Sequence, residues 1–175
     1  MLKVEKATHL VLIALCILTG ASLVSQKFSQ KPRKTLKAED LVGKSMKLPY
    51  LQSSEHAPVI VLGVSTSCPY CKANMSLYRK MAAIRRENSS QVPLIVISPD
   101  PVDEVTEYFD KNEVKVDNVI QGNLASLGIP GTPTLVALDS KGIIRRAFIG
   151  WQPKSGEQQL LKIMRTGKIS DDSGQ

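Results

Sequence analysis

Two apolar runs of strand length, separated by a helix-like segment, constrain this chain more than any other feature. Residues 57–66 read APVIVLGVST, and residues 92–98 read VPLIVIS. Between them, residues 69–86 repeat apolar side chains at helical spacing and place charged residues on the other faces. Continuous apolar runs are typical of buried strands, and a helix between two of them indicates parallel pairing. This stretch therefore predicts a βαβ unit.

The alternation continues after the second apolar run. Asp100 resembles a helix N-cap with Pro101 as the first helical residue, and that helix is expected to end near residue 112. A short strand is predicted at 116–121.

The C-terminal part predicts antiparallel strands and a last helix. Residues 134–150 read as a β-hairpin that turns at 139–142. Ser155 with Gln158 resembles a capping box for a helix that ends near 165. The predicted fold is therefore α/β, a mixed β-sheet flanked by helices on both faces.

The N-terminal segment is apolar enough to meet a membrane. Residues 7–24 carry no charge, and 18 residues at 1.5 Å each span roughly the bilayer hydrocarbon. No clear A-x-A-like cleavage site follows, so residues 1–24 are interpreted as a membrane anchor or signal-anchor. The expected layout continues with a basic linker over 25–40, a folded domain over 41–166 and a flexible tail over 167–175.

The positive charge is concentrated in one short stretch. The chain has a net charge of +7, to which residues 25–47 contribute most through seven Lys or Arg against Glu39 and Asp40. A nucleic-acid-binding protein more often presents a basic face on its folded domain, so we expect no nucleic-acid partner. A basic stretch beside an apolar one favours an anionic lipid surface instead.

Cys68 and Cys71 form a C-x-x-C pair between the first predicted strand and the helix that follows. Strand ends that lead into helix N-termini are where α/β sheets place reactive groups. Pro69 suits the first helical turn, which leaves Cys68 in the N-cap region, where free N–H groups and the helix dipole favour a thiolate. We expect Cys68 to be the exposed nucleophile and Cys71, one turn further, to resolve the mixed disulfide.

Two other interpretations of the cysteine pair remain open from the residues alone. A structural disulfide would more often link distant elements. A metal site would need two more ligands, and the chain has only two histidines, His9 and His56. We favour a redox pair and expect neither a metal nor a cofactor.

The dipeptide Thr132-Pro133 immediately precedes the hairpin. A proline at a strand entrance is often only turn chemistry, but it gains meaning beside a C-x-x-C in a βαβ pattern. A cis bond here would expose the backbone of Thr132 to an extended substrate near Cys68. We predict that Thr132 and Pro133, with Pro69 and Tyr70, bind substrate.

The C-x-x-C at 68–71, the GTPT at 131–134 and the following LVALDSKGII together resemble the thioredoxin-like superfamily. Within it, the chain is most similar to the membrane-tethered TlpA/ResA-type redoxins, over residues 41–166. The resemblance implies thiol–disulfide exchange, with Cys68 and Cys71 as the nucleophilic and resolving cysteines. It also implies that Pro133 is the cis-proline and that Thr132 contacts the substrate backbone.

The chain departs from thioredoxin around the pair. Ser67 replaces a tryptophan, and Pro69-Tyr70 replaces Gly-Pro. Leu62 stands six residues before the first cysteine, where thioredoxins and many relatives bury an acid. Without that acid, proton removal from the second cysteine must rely on water or another group. Trp151, the only tryptophan, is interpreted as a packing residue.

The expected function is a membrane-anchored thiol–disulfide oxidoreductase. Its partners would be protein thiols and disulfides, in secreted proteins or apocytochromes, and a membrane or periplasmic redox protein. A thiol peroxidase is an alternative, although Thr66 lies two rather than three residues before Cys68. A copper metallochaperone is another, although it would need C-x-x-x-C and a histidine in a late loop. The direction of electron flow stays open.

The side of the membrane is predicted differently by charge and by family. Lys3 and Lys6 precede the apolar segment and five Lys or Arg follow it within about 15 residues, which by the positive-inside rule places the domain in the cytoplasm. The family resemblance implies the extracytoplasmic side, the periplasm or the cell exterior, and this is the location that we expect.

Overall fold

The computed structural model describes residues 36–48, 58–88 and 92–169. The strands and helices, in chain order, are β1 (Val59–Gly63), α1 (Pro69–Ala73), α2 (Met75–Asn88), β2 (Leu94–Ser98), α3 (Val102–Lys111), β3 (Asn118–Gln121), β4 (Thr134–Leu138), β5 (Ile144–Ile149) and α4 (Lys154–Thr166). Short 3-10 turns occur at Ala38–Asp40 and Ala125–Leu127. The predicted anchor, residues 1–24, lies outside the described residues. Among the residues that are described, no helix is both long and apolar enough to cross a membrane.

The five strands form one mixed sheet in the order β3-β2-β1-β4-β5. The β1–β2 and β2–β3 pairs are parallel, because a helix returns the chain to the same end of the sheet each time. The β1–β4 and β4–β5 pairs are antiparallel, and the β4–β5 hairpin turns where the sequence predicts it. Strand β1 is therefore central, and every one of its residues is buried. The predicted α/β class and mixed sheet are confirmed.

The two faces of the sheet bury different partners. On one face, β1 presents Ile60 and Leu62 to a core cluster that includes buried residues of α1, α2, α3 and α4. On the other, Val59 and Val61 pack with residues from the segment around Leu41 and from the loop after β3. The alternation of side chains along a strand produces this division. In the described part of the chain, the second face is covered by 3-10 turns and loops, and all the α-helices pack on the first face. The prediction of helices on both faces is therefore wrong for these residues.

The helix predicted as one piece at 69–86 is two helices. Asn74 leaves helical geometry (φ −84°, ψ 1°) and separates α1 from α2. Its side chain is 2% exposed and bonds to a distant loop, as described below. Apolar periodicity continues across Asn74, so the repeat alone cannot reveal the interruption.

Both predicted helix caps are wrong in detail. Helix α3 has Pro101 (φ −57°, ψ 145°) rather than Asp100 at its N-cap, and the Asp100 carboxylate accepts from the Thr66 N–H. Helix α4 begins at Lys154, after the N-cap residue Pro153, so Ser155 lies inside the helix. The side chain of the N-cap residue makes no hydrogen bond to the helix. At the other end, Ile169 packs against the first core cluster, although 167–175 was expected to be a flexible tail.

Candidate active site

Sheet register brings the two distant sequence motifs together. In the antiparallel β1–β4 pair, Gly63 at the end of β1 lies opposite Thr134 at the start of β4. The loop after β1 carries Cys68, and the residues before β4 are Thr132 and Pro133, joined by a cis peptide bond. The Cys68 thiol donates a hydrogen bond to the Thr132 carbonyl oxygen at 3.3 Å. The predicted nucleophile and the predicted substrate-binding dipeptide are therefore in contact.

Cys68 occupies the N-cap of α1 with extended backbone geometry (φ −79°, ψ 117°), as the sequence predicts. Desolvation raises the pKa of its thiol, but hydrogen bonds at Thr132, from the Cys71 thiol, and from the N–H groups of Cys71 and Tyr70 outweigh it, and the pKa lies below its ordinary value. The donors to the Cys68 sulfur are the Thr132 hydroxyl, the Cys71 thiol and the two N–H groups. The N-cap position therefore favours a thiolate on Cys68.

Cys71 has the opposite character. It is fully buried in the first core cluster, one turn into α1. Burial raises the pKa of its thiol to about 12; a hydrogen bond from the Ser65 backbone opposes this rise, and the proximity of Cys68 adds to it. The pair thus combines a partly exposed, acidic thiol with a buried, weakly acidic one.

Two other predicted residues are accessible beside the pair. Pro69 and Tyr70 are exposed, and 61% of Tyr70 is accessible. No group of three or more potential metal ligands occurs within the described ranges, and His9 and His56 lie outside them. The substrate-binding roles of Thr132, Pro133, Pro69 and Tyr70 remain predictions.

A loop after β5 is bonded to both halves of the site. The Gly150 N–H donates to the Pro133 carbonyl at 2.7 Å, and the Gly150 carbonyl accepts from the Asn74 amide at 3.0 Å. The side-chain Oδ1 of Asn74 in turn accepts from the backbone N–H of Gln152 at 3.0 Å. Gly150 has a φ of 78°, in the left-handed region where glycine is unstrained.

This loop presents Trp151 to solvent. The Trp151 side chain was expected to pack in the interior, but it is 58% exposed. The residues on either side of it, Gly150 and Gln152, form hydrogen bonds with Asn74, and Gly150 also bonds to Pro133. Large exposed aromatic groups held by a rigid backbone are typical of binding surfaces.

Asp100 holds the segment that leads to the nucleophile. Its Oδ2 accepts from the Thr66 N–H at 2.7 Å, the Ser65 hydroxyl at 2.9 Å and the Thr66 hydroxyl at 3.0 Å. The Thr66 hydroxyl also lies 2.6 Å from Oε1 of Glu104. Burial opposes ionisation, but the hydrogen bonds from Thr66, Ser65 and Ser98 keep the pKa of the Asp100 carboxyl below its ordinary value. The sequence around Asp100 is typical of a helix cap and did not predict this role, because Ser65 and Thr66 lie more than thirty residues earlier in the chain.

Replacing Asp100 with asparagine is expected to destabilise the protein at neutral pH by about 1 kcal/mol, because a neutral amide is a weaker acceptor for these donors. The lowered pKa means that the stabilisation is present above the unfolded-state pKa of about 4 and is lost as the pH falls through the folded-state value. Thermal unfolding of D100N and the unchanged protein should therefore differ at neutral pH and converge in acid.

Asp103→Asn is the matched control, since Asp103 is exposed in the first turn of α3. A D100N difference that persisted unchanged in acid, or that D103N reproduced, would contradict this role for Asp100.

Comparison with known families defines the class of this protein. A thioredoxin-like domain model matches residues 51–166. The resemblance to the thioredoxin-like superfamily that was inferred from the two sequence motifs is confirmed at this level. The chain belongs to the thioredoxin-like domain family. A comparison with curated proteins found no match.

Solved structures share this fold at low identity. StoA from Bacillus subtilis is 18% identical over 63% of this chain and 84% of its own, with a TM-score of 0.50. A putative protein disulfide isomerase from Bacteroides thetaiotaomicron is 18% identical over 72% and 91%, with a TM-score of 0.55. Peroxidoxin BcpB from Mycobacterium tuberculosis is 15% identical over 73% and 97%, with a TM-score of 0.56. At these identities the likeness establishes the fold alone.

Proposed function

We propose that the protein is a membrane-anchored, extracytoplasmic oxidoreductase that exchanges disulfides with protein clients through Cys68 and Cys71. One observation carries the proposal: the two thiols are unlike, with Cys68 partly exposed at a helix N-cap against Thr132 and Cys71 buried behind it. A structural disulfide does not require two unlike thiols. Disulfide exchange does, because an accessible thiol must attack the client and a second, protected thiol must later resolve the mixed disulfide.

In the reducing direction, the Cys68 thiolate attacks one sulfur of a client disulfide. A bond forms between Cys68 and that sulfur, the client disulfide breaks, and the second client sulfur leaves as a thiolate. The lowered pKa of Cys68 supplies the thiolate.

Cys71 then resolves the mixed disulfide. Its sulfur attacks Cys68, and the Cys68–client bond breaks. The proton of Cys71 is transferred to the client thiolate that leaves. The products are the Cys68–Cys71 disulfide and a client with one thiol and one thiolate. That thiolate takes up from water the proton that Cys68 released when it ionised, so electrons and protons balance without a cofactor. The reverse sequence oxidises a client.

The surface around Cys68 suits an extended client segment. The Thr132 backbone lies beside the nucleophile, and the exposed rings of Tyr70 and Trp151 belong to segments that lead to and from the site. Backbone pairing at Thr132 would orient the client, and aromatic contacts would add affinity. Secreted proteins and apocytochromes, the clients implied by TlpA/ResA-type redoxins, are the substrates that we propose.

The proposed location of the domain rests on the apolar segment and on the family resemblance. Residues 1–24 would anchor the chain, and the basic linker would rest on anionic lipid of the outer leaflet, in spite of the positive-inside rule. Reporter fusions after residue 40 test this directly. A reporter that is active only in the cytoplasm would contradict the proposed side of the membrane without affecting the redox function.

Titration of the Cys68–Cys71 couple in glutathione buffers tests the function itself. We expect a reversible two-electron transition that disappears when Cys68 is replaced, and a protein that does not cycle would contradict the proposal. A tenfold change in the equilibrium constant corresponds to about 30 mV. A potential near that of thioredoxin would assign a reductant, and one near the strong oxidants would assign an oxidase or isomerase.

The alternatives gain no specific support from the geometry. The hydroxyl of Thr66, which a peroxidase would direct to peroxide, bonds to Asp100 and Glu104 instead. The likeness to a peroxidoxin is one of fold alone.

A further inference from the structure

The interior behind Cys71 contains no carboxylate from the central strands. Leu62 occupies the position where many relatives bury an acid, and it is fully buried. Its partner across the β1–β2 pair, Val96, is also apolar and fully buried. If the proposed exchange is correct, Cys71 must lose its proton in an environment where burial disfavours the thiolate more strongly than the Ser65 backbone and the Thr132 side chain favour it. Further polar groups would therefore assist this step.

Tyr78 is the nearest such group along the helical stripe. Cys71, Asn74 and Tyr78 follow one another at intervals of three and four residues, and all three are buried. Helical side chains lean toward the N-terminus, which directs the Tyr78 ring toward the start of α2. Tyr78 lies in the same core cluster as Cys71 and interacts with it electrostatically. The Tyr78 side chain is fully buried; its oxygen accepts from the Asn74 side chain, and its O–H donates to no group among the described residues. The amide of Asn74 is already bonded to Gly150 and Gln152.

A second buried hydroxyl reaches the same region from α3. The Tyr108 hydroxyl lacks a partner within the described ranges. The rings of Tyr78 and Tyr108 both pack on Phe109, with centroid distances of 6.2 and 5.6 Å. Tyr108 packs against the core cluster that contains Cys71 and Tyr78. A buried O–H that donates to no acceptor costs stability, so two in one cluster indicate that they serve a state other than the resting dithiol.

We propose that the buried hydroxyls of Tyr78 and Tyr108 donate hydrogen bonds to the sulfur of Cys71 as it becomes a thiolate, in place of the missing acid. The step is the resolving attack described above. The Cys71–Cys68 bond forms as the Cys68–client bond breaks, and the Cys71 proton ends on the client thiolate. The tyrosines keep their own protons throughout, so they position and stabilise the attacking sulfur without being consumed.

The electrostatics of the cluster agree with this role. Burial first, and then the proximity of Cys71, raise the pKa of both tyrosines, so their hydroxyls stay protonated donors wherever the enzyme works. The titratable groups that interact with Cys71 are Cys68 from the helix start, Tyr78 from α2 and Tyr108 from α3. The strands contribute apolar Leu62 and Val96.

Reaction of the reduced protein with one equivalent of DTNB separates the two thiols. Cys68 attacks first and releases one thionitrobenzoate in a step that depends on DTNB concentration. Cys71 then displaces the second in a unimolecular step. Tyr78→Phe should slow the second phase by about tenfold near neutral pH, since a hydrogen bond to a charged group is lost. The midpoint of its pH dependence should rise, while the pH dependence of the first phase stays unchanged.

Tyr108→Phe should act in the same direction, and the double variant should exceed either single one. Thermal unfolding of reduced Tyr108→Phe should be unchanged or higher, because this variant removes a buried hydroxyl that has no partner within the described ranges. Met81→Leu, a fully buried change of similar volume on the same helix, is the matched control and should leave the second phase unchanged.

The outcomes separate this inference from the proposed function. If the unchanged protein shows no second phase, exchange through Cys71 fails altogether. If the second phase is present and neither tyrosine variant changes its rate or pH midpoint, only the role of the tyrosines is overturned. A slower second phase that Met81→Leu reproduces would also overturn it, because general loosening of the helix would then explain the change.

Discussion

Replacing Cys68 with serine is expected to lower the rate of thiol–disulfide exchange by roughly a thousandfold or more. A serine hydroxyl is not ionised at working pH, and the N-cap environment that favours a thiolate cannot compensate for that difference. The buried Cys71 cannot take over, because its sulfur is inaccessible and its pKa is raised to about 12. Reduction of a model protein disulfide, followed with and without C68S, measures the effect.

C68S also tests the assignment of roles. Cys68 is only partly exposed and its change to serine removes little packing, so the variant should keep the unfolding temperature of the reduced protein. Exchange that continued at an undiminished rate in C68S would contradict the nucleophile assignment and the proposed function with it.

Replacing Cys71 with alanine is expected to trap the client. Cys68 can still attack, but without the resolving thiol the mixed disulfide breaks only through an external thiol, so a covalent adduct should accumulate. Alanine is preferred to serine here because position 71 is fully buried, and an added hydroxyl would need a partner. Non-reducing electrophoresis followed by mass spectrometry measures the adduct and identifies the client cysteine.

The double variant C68S/C71A is the control for this experiment and should form no adduct. A trapped client attached through any other cysteine, or C71A protein that turns over clients as fast as the unchanged protein, would contradict the assignment of Cys71. Because the adduct carries its client, the same experiment would show whether the substrates are secreted proteins or apocytochromes.

The tyrosine and aspartate roles extend the cysteine chemistry in two directions. Asp100 fixes the segment from which Cys68 attacks, through hydrogen bonds across more than thirty residues of chain. Tyr78 and Tyr108 lie on the interior side of the pair. Failure of one role would leave the other standing, since the first is read from stability and the second from the rate of resolution.

Patterns local in the chain were enough to predict the main elements. The apolar runs predicted β1 and β2, and the helix start after Cys68 placed this residue at the N-cap. The hairpin at 134–150 was also confirmed. Each of these depends on periodicity or on the chemistry of a few neighbouring residues, which the sequence displays directly.

The predictions that failed depended on partners far along the chain. Asp100 was taken for a cap, yet its strongest partner is the backbone of Thr66. Asn74 interrupts an otherwise continuous apolar repeat and bonds to Gly150, 76 residues away. Trp151 was taken for a packing residue, although bonds on both sides of it turn it to solvent. No local pattern carries such information.

The sequence by itself determined the family, the cysteine pair and the dipeptide expected to meet it, because the types and spacing of these residues are specific for thiol chemistry at a strand–helix junction. Only the tertiary structure decided how unlike the two thiols are. Antiparallel pairing of β1 with β4 sets Thr132 against Cys68, and packing of the helices buries Cys71 in the core cluster that also contains Tyr78. Burial and hydrogen-bond geometry determine pKa, and both arise only when distant segments pack together.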